Sequence, residues 1–113
     1  MARVVAFVPD LLFGSQVVGM LAEHEVVLVG RPEELEGALT GARVCVVDLT
    51  ADAQARIDAI SPRLAEGVRS LAFYSHVESD VRAAAQQAGF DLVVPRSRMA
   101  REGAALVDSL SAG

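Results

Sequence analysis

The sequence alternates between short apolar segments rich in β-branched residues and longer segments whose apolar residues have helical spacing. The apolar segments lie at 3–8, 25–29, 44–47, 70–74 and 91–94. Because they are apolar almost throughout, the strands they predict are buried on both faces, as in a parallel sheet covered by helices. Hydrophobic residues make up 52% of the chain, yet no apolar run approaches the ~18 residues that a membrane span needs.

Each apolar segment is followed by a stretch with the spacing and end signals of a helix. Helices are predicted from Phe13 to His24, from Pro32 to near Gly41, from near Ala51 to Pro62, from Ser75 to Ala88 and from Arg98 to Leu110. This alternation predicts an α/β fold: a five-stranded parallel sheet of order 2-1-3-4-5 between two layers of helices, the flavodoxin-like arrangement. We expect one domain over residues 1–110 and a frayed C-terminus at 111–113.

Charge and composition narrow the classes of function. The net charge is −5, which argues against a nucleic-acid partner. All ten basic residues are arginine, and the chain has no lysine. The N-terminal residues lack the features of a signal peptide, so we expect a cytoplasmic protein with no membrane partner. The single cysteine, Cys45, lies inside an apolar run, which indicates a buried and inert thiol.

Polar residues follow four of the predicted strands. Asp10 follows the first strand, Asp48 ends the third, Ser75 ends the fourth and Arg96 follows the fifth. In a 2-1-3-4-5 sheet the ligand crevice lies where the first and third strands meet, so we expect Asp10 and Asp48 to be neighbours. Polar residues at strand ends also serve as helix caps, and Thr50 has this option, so a purely structural interpretation stays open.

Over nearly its full length the chain resembles the receiver domain of bacterial response regulators, the phosphoacceptor module of two-component signalling. The resemblance rests on "VVAFVPD", which contains Asp10, on "VCVVDLT", which contains Asp48, and on "LAFYSHVESDVRAAAQQAGFDLVVP", which contains Ser75. It implies that Asp48 is phosphoacceptor-like and that Asp10 and Asp48 form a weak Mg²⁺ site. Ser75, Thr50 and Arg96 would then be polar residues of the same crevice.

The chain departs from the receiver pattern at several positions. A lysine should follow the fifth strand, but "VVPRS" stands there, and Arg96 is not a conservative substitute. The acidic pair after the first strand is reduced to Pro9-Asp10, and "DLTADAQ" replaces the usual proline turn after the third strand. Leu92 or Asp91 falls where receivers usually carry an aromatic residue.

These departures favour a degenerate receiver, or pseudo-receiver, that acts mainly through protein–protein interaction. Phosphorylation at Asp48 is then weak or absent, no cofactor is required, and no catalytic residue is predicted. Two alternatives stay open. One is a functional phosphoacceptor; the other is a small-ligand-binding domain or an enzyme that uses the crevice. Ser75-His76 lacks the G-x-S-x-G context of a hydrolase, and His76 is expected at the surface.

The resemblance also implies where a partner would bind. The fourth and fifth helices and the fifth strand are the usual partner or dimer face, and here they carry Arg98, Met99 and Arg101. A further expectation concerns stability. If Asp10 and Asp48 are unpaired neighbours they repel each other, so Asp48→Asn or Asp48→Ala should be neutral or stabilising.

Overall fold

The structure is a computed structural model that describes residues 2–75 and 77–112. The predicted surface position of His76 and the final residue of the predicted frayed end, Gly113, lie outside the described residues, as does Met1. Within the described residues, five strands form one parallel sheet whose order, numbered along the chain, is 2-1-3-4-5, which confirms the predicted fold. The strands are β1 (Arg3–Phe7), β2 (Glu25–Val29), β3 (Val44–Asp48), β4 (Arg69–Tyr74) and β5 (Leu92–Pro95).

In the part of the chain that the structure describes, each strand is followed by an α-helix. The helices are α1 (Leu11–Met20), α2 (Leu35–Ala38), α3 (Ala53–Ile60), α4 (Ser79–Gln87) and α5 (Arg96–Ala112). A 3₁₀ turn over Pro32–Glu34 leads into α2, and another over Ser61–Arg63 ends α3, where Pro62 was predicted to end it. Helix α5 begins at Arg96, two residues before the predicted start, and continues to Ala112. Among the described helices, none is long and apolar enough to cross a membrane.

Helices cover both faces of the sheet, and the inner strands are buried as the continuous apolar segments indicate. The edge strand β2 is an exception, because only Val29 of its five residues is buried and Leu28 is 42% exposed. In β3, Val44 and Val46 face one helical layer, whereas Cys45 and Val47 face the other. The first layer is built by α1 and α5 and contributes Phe13, Val17, Met99 and Val107. The second is built by α2, α3 and α4 and contributes Leu35, Ile57, Ile60, Val81 and Ala85. The central strand therefore has no solvent-facing side, and a polar residue can join it only at an end.

Helix α4 ends in a glycine-dependent turn that positions β5. The Gly89 N–H donates to the Gln86 carbonyl at 3.2 Å, and the Phe90 N–H donates to the Ala85 carbonyl at 3.3 Å. This is the Schellman pattern, and it requires a residue of positive φ after the cap. Gly89 has φ +98°, and Phe90 is buried beyond it. Gly89 thus ends α4 and directs the chain towards β5.

Gly89→Ala should destabilise the protein by about 1–2 kcal/mol, because an L side chain is strained at this positive φ. Gly37→Ala is the matched control: Gly37 lies in α2, and a methyl group there would meet nothing within 4 Å. This control should be neutral or stabilising by up to about 1 kcal/mol. Chemical denaturation of both variants measures the difference. Equal effects of the two substitutions would contradict the assignment.

Cys45 lies in the centre of β3 and is fully buried. Burial raises the pKa of its thiol to about 12, so the reactive thiolate is scarce near neutral pH. We therefore expect a thiol reagent at about pH 8 to label the native protein only as fast as the protein unfolds. Labelling should be immediate in denaturant. Rapid stoichiometric labelling under native conditions would show that β3 is exposed.

Candidate functional site

Asp48 is the last residue of β3 and is only 3% exposed. Its carboxylate is hydrogen-bonded within the following turn. Oδ1 accepts the Thr50 backbone N–H at 2.8 Å and the Thr50 hydroxyl at 2.6 Å. A buried carboxylate with such partners avoids the cost of an unsatisfied charge. Asp48 is therefore bound to its own loop rather than presented to solvent.

Arg56 completes the environment of Asp48 from α3. Its Nη1 lies 3.7 Å from Asp48 Oδ2 and donates to the Asp48 backbone carbonyl at 3.0 Å. The guanidinium also lies over the Phe7 ring, with Cζ 5.4 Å from the ring centroid. The Arg56 side chain is 16% exposed, so the ion pair is largely shielded from water. One arginine thus neutralises Asp48 and ties the start of α3 to the ends of β1 and β3.

Sequence reasoning missed Arg56. The arginine stands eight residues after Asp48, and its approach depends on how the chain turns between them. Asp52 adopts φ +48° and ψ +41° immediately before α3, a left-handed conformation that nothing in the residue pattern requires. A search for a basic residue early in the helix after β3 would have identified Arg56, but it would not have shown that Arg56 contacts Asp48.

Asp10 serves as the N-cap of α1. Its Oδ1 accepts the Phe13 backbone N–H at 2.9 Å, and the residue is exposed. Strands β1 and β3 are adjacent, with Phe7 opposite Val47, so the segments that carry Asp10 and Asp48 leave neighbouring strands. The two carboxylates nevertheless have separate partners: Asp10 caps a helix, whereas Asp48 is paired with Arg56 and Thr50.

These contacts bear on the Mg²⁺ site that the resemblance implies. Mg²⁺ is bound by oxygen ligands in near-octahedral geometry. Within residues 2–75 and 77–112, no group of three or more Asp, Glu, His or Cys side chains is placed to hold a metal ion. One oxygen of Asp10 and both oxygens of Asp48 already have partners. To bind both carboxylates as arranged here, the ion would have to compete with Arg56 and Thr50 for the oxygens of Asp48.

A separate cleft of about 510 Å³ opens at the same edge of the sheet. It brings together the other predicted crevice residues, Thr50, Ser75 and Arg96. Its lining also includes Phe13, Gln16, Ser97 and Ala100, but neither Asp10 nor Asp48. The predicted crevice therefore has two parts, an enclosed carboxylate with its own counterion and an open polar cleft, and Thr50 belongs to both because it lines the cleft and donates to Asp48.

Arg96 is positioned over an aromatic ring in this cleft. Its Cζ lies 4.4 Å from the centroid of Phe13. Phe13 is buried and meets Phe73 edge-to-face, with ring centroids 5.1 Å apart. An arginine over a ring face gains a cation–π attraction, here on a ring fixed by the core. The guanidinium is consequently held at the mouth of the cleft.

The residues expected at a partner face have different environments. Met99 is fully buried in the core, so in this structure it is not available to a partner, and that part of the expectation is corrected. Spacing alone could not show which side of α5 meets the sheet. Arg98 Nε lies 3.4 Å from Glu102, and Arg101 Nη2 lies 3.7 Å from the same carboxylate. These two arginines form a small surface ion-pair network.

The fold is similar to those of solved receiver proteins. A response regulator from Thermotoga maritima matches with a TM-score of 0.81 at 13% identity, over 100% of this chain and 99% of that chain. The receiver domain of the response regulator NarL from Mycobacterium tuberculosis matches with a TM-score of 0.77 at 21% identity, over 99% of this chain and 97% of that chain.

A protein described as pilus assembly-related, from Burkholderia pseudomallei, matches with a TM-score of 0.81 at 19% identity, over 99% of this chain and 90% of that chain. No protein-family model matches the sequence, and neither does any curated protein. At these identities the comparisons establish that this chain has the receiver fold.

The contacts of Asp48 reverse the expectation about its removal. Asp48→Ala should lower the free energy of unfolding by about 1–3 kcal/mol, because Arg56 and Thr50 each lose a buried partner. Asp48→Asn should cost less, since the amide oxygen can still accept from Thr50. Asp10→Asn is the matched control and should be neutral, because asparagine caps helices as well as aspartate does. Urea denaturation gives all three values.

A double-mutant cycle with Arg56→Gln isolates the ion pair. If Asp48 and Arg56 stabilise each other, the two substitutions together should cost less than the sum of the single effects. Strict additivity, or a stability gain in Asp48→Ala, would show that the pair contributes nothing and that repulsion dominates.

Proposed function

We propose that this chain is a degenerate receiver: a cytoplasmic bacterial signalling module that binds a protein partner and does not depend on phosphorylation of Asp48. The receiver fold and the resemblance in the loops support a signalling role. The proposed independence from phosphorylation is supported by the environment of Asp48, which is buried, hydrogen-bonded to Thr50 and ion-paired with Arg56.

Phosphoryl transfer to an aspartate depends on position and charge. A carboxylate oxygen must approach phosphorus in line with the leaving group, and fixed cations must neutralise the equatorial oxygens. Here Oδ1 is engaged by two hydrogen bonds and Oδ2 faces Arg56. Attack would require the turn after β3 to open and the ion pair to separate. Both changes add to the barrier, because each removes a shielded partner from a charge.

The absence of a lysine after the fifth strand also argues against phosphorylation of Asp48. A lysine at the end of the fifth strand would supply a compact positive charge to the phosphoryl group. Pro95 ends β5 here, and Arg96 is the first residue of α5, over Phe13. Arg96 lines the open cleft, and Asp48 does not. Arg96 therefore has Phe13 as its contact and is not paired with Asp48, whose ion pair is with Arg56.

Arg56 offers a physical basis for a signal-independent state. Its positive charge is part of the chain, so the turn between β3 and α3 is held without any modification of Asp48. A receiver fixed in one conformation can still serve as a binding module, since docking depends on the presented surface. We place the partner or homodimer surface on α4, β5 and the exposed side of α5, including Arg98 and Arg101 but without Met99.

Incubation with a small phosphodonor and Mg²⁺ tests the proposal. We expect no stoichiometric phosphorylation by intact mass, because Asp48 is enclosed, whereas an active response regulator treated in parallel should be labelled. Stoichiometric labelling that disappears in Asp48→Asn would establish a functional phosphoacceptor instead. Titration with Mg²⁺ alone, followed by amide NMR shifts, tests the weak site predicted at Asp10 and Asp48.

A further inference from the structure

Strand β2 forms one edge of the sheet, and only its inner side is paired with another described strand. The Glu25 N–H donates to the Ala2 carbonyl at 2.9 Å, and the Val8 N–H donates to the Val29 carbonyl at 3.3 Å. In a parallel strand the N–H and C=O groups of alternate residues point to the same neighbour, so Glu25, Val27 and Val29 bond to β1. The backbone groups of the two residues between them therefore point outward.

These outward groups are the N–H and C=O of Val26 and Leu28. Within residues 2–75 and 77–112, no strand pairs with this side of β2. An unpaired row of this kind is a template for another strand, and proteins usually block it with proline, lysine or a bulge. The opposite edge strand, β5, ends in Pro95, whereas β2 has the sequence EVVLV, with one charge at its first residue. The outer side of β2 therefore carries neither a proline nor a lysine.

An exposed apolar strip lies beside this edge. Leu28 lies against α1, because a Cβ atom on Gly14 would be 3.2 Å from Leu28 Cδ2. Leu11 and Val18 stand three residues before and four residues after Gly14, on the same side of the helix, and both are exposed. We call Leu11, Val18 and Leu28 the edge strip. Apolar surface next to unpaired backbone groups favours a partner that is itself a strand with an apolar side.

A second copy of the chain offers such a strand in the antiparallel orientation. With Val27 opposite Val27 of the second copy, Val26 lies opposite Leu28 of the second copy, and the reverse pair forms by symmetry. Each of these two pairs exchanges two backbone hydrogen bonds, so every outward group of β2 gains a partner. The side chains of Val26 and Leu28 both lie on the α1 side of the sheet. The pairing would therefore cover the exposed Leu28 of each copy.

The charges at the two ends of β2 favour the same orientation. Glu25 begins the strand, and Arg31 follows its end in an extended conformation, with φ −133° and ψ 142°. Arg31 forms no salt bridge with any described carboxylate, since Glu34 Oε1 accepts the backbone N–H groups of Gly30 and Arg31 at 2.9 Å each. Glu25 has Arg3 3.4 Å away, but its side chain is still 68% exposed. Antiparallel alignment brings the Glu25 end of each copy to the Arg31 end of the other.

We propose that β2 and the edge strip form a homodimer interface, in which the β2 strands of two copies pair antiparallel and join the two sheets into one. The partner is a second copy because the hydrogen-bonding groups, the apolar residues and the terminal charges of this edge are complementary to themselves. An isologous contact of this kind closes at the dimer. The interface lies at the opposite edge of the sheet from β5, so it leaves α4, β5 and α5 free for a different partner.

Sedimentation equilibrium from about 1 μM to about 1 mM tests the interface, since weak dimers form in this range. We expect the mass to rise from 11.9 kDa towards twice that value and to stop there. Leu28→Lys should weaken dimerisation by about tenfold or more, because a lysine on an edge strand opposes pairing. Far-UV circular dichroism of this variant should match that of the unmodified chain, because Leu28 is partly exposed.

Charge reversal tests the antiparallel arrangement. Glu25→Arg and Arg31→Glu each place like charges together at both ends of the paired strands, so each variant alone should dimerise more weakly than the unmodified chain. An equimolar mixture of the two variants restores opposite charges at both ends, and we expect it to form a heterodimer. Arg101→Glu is the matched control, because it makes the same charge change on α5 and should dimerise as the unmodified chain does.

Three results would overturn the proposal. The first is a chain that stays monomeric over the whole range, or that continues to associate beyond the dimer. The second is a mixture of Glu25→Arg and Arg31→Glu that associates no better than either variant alone. The third is a dimer lost in Arg101→Glu but kept in Leu28→Lys, which would place the contact on α4, β5 and α5. None of these results bears on phosphorylation, which intact mass detects separately.

Discussion

Burial of a carboxylate at the end of the central strand is the constraint on which this site depends. Strand β3 is covered on both faces, so Asp48 emerges into a region with little water and must find partners within the chain. An unpaired charge there would cost several kcal/mol. Thr50 and Arg56 meet the requirement from the next turn and the next helix. Asp48, the candidate phosphoacceptor of the sequence analysis, is therefore held by a hydrogen-bonded turn and an ion pair.

The pairing extends beyond Asp48. Arg56 can reach the carboxylate because Asp52 turns the chain through a left-handed conformation before α3 begins. The same guanidinium lies over Phe7 and donates to the Asp48 carbonyl. A single cation thus links the end of β1, the end of β3 and the start of α3. The contact is made within the chain, so it holds the turn between β3 and α3 without any modification of Asp48.

The sequence predicts the sheet well because continuous apolar segments leave few alternatives to buried parallel strands. The ends of the helices are predicted less well, and the contacts of the site residues depend on those ends. Placing the first helix at Phe13 hid the capping role of Asp10, which the start of α1 at Leu11 makes plain. The start of α5 at Arg96 rather than Arg98 likewise brings that arginine over Phe13. The Asp48–Arg56 pair could not be predicted, because it depends on one backbone turn and not on a residue pattern.

Two arginines, Arg56 and Arg96, lie near this edge of the sheet, and each has a different partner. Arg56 forms an ion pair with the carboxylate, whereas Arg96 lies over Phe13 and lines the neighbouring cleft. A lysine at the end of β5 would have joined the two regions, because a flexible ammonium can reach an adjacent strand end. With a proline in that place and the arginine on the following helix, the two regions have different cations and meet at Thr50, which lines the cleft and donates to Asp48. The carboxylate of Asp48 therefore has its own counterion in Arg56, and the charge of Arg96 lies in the cleft.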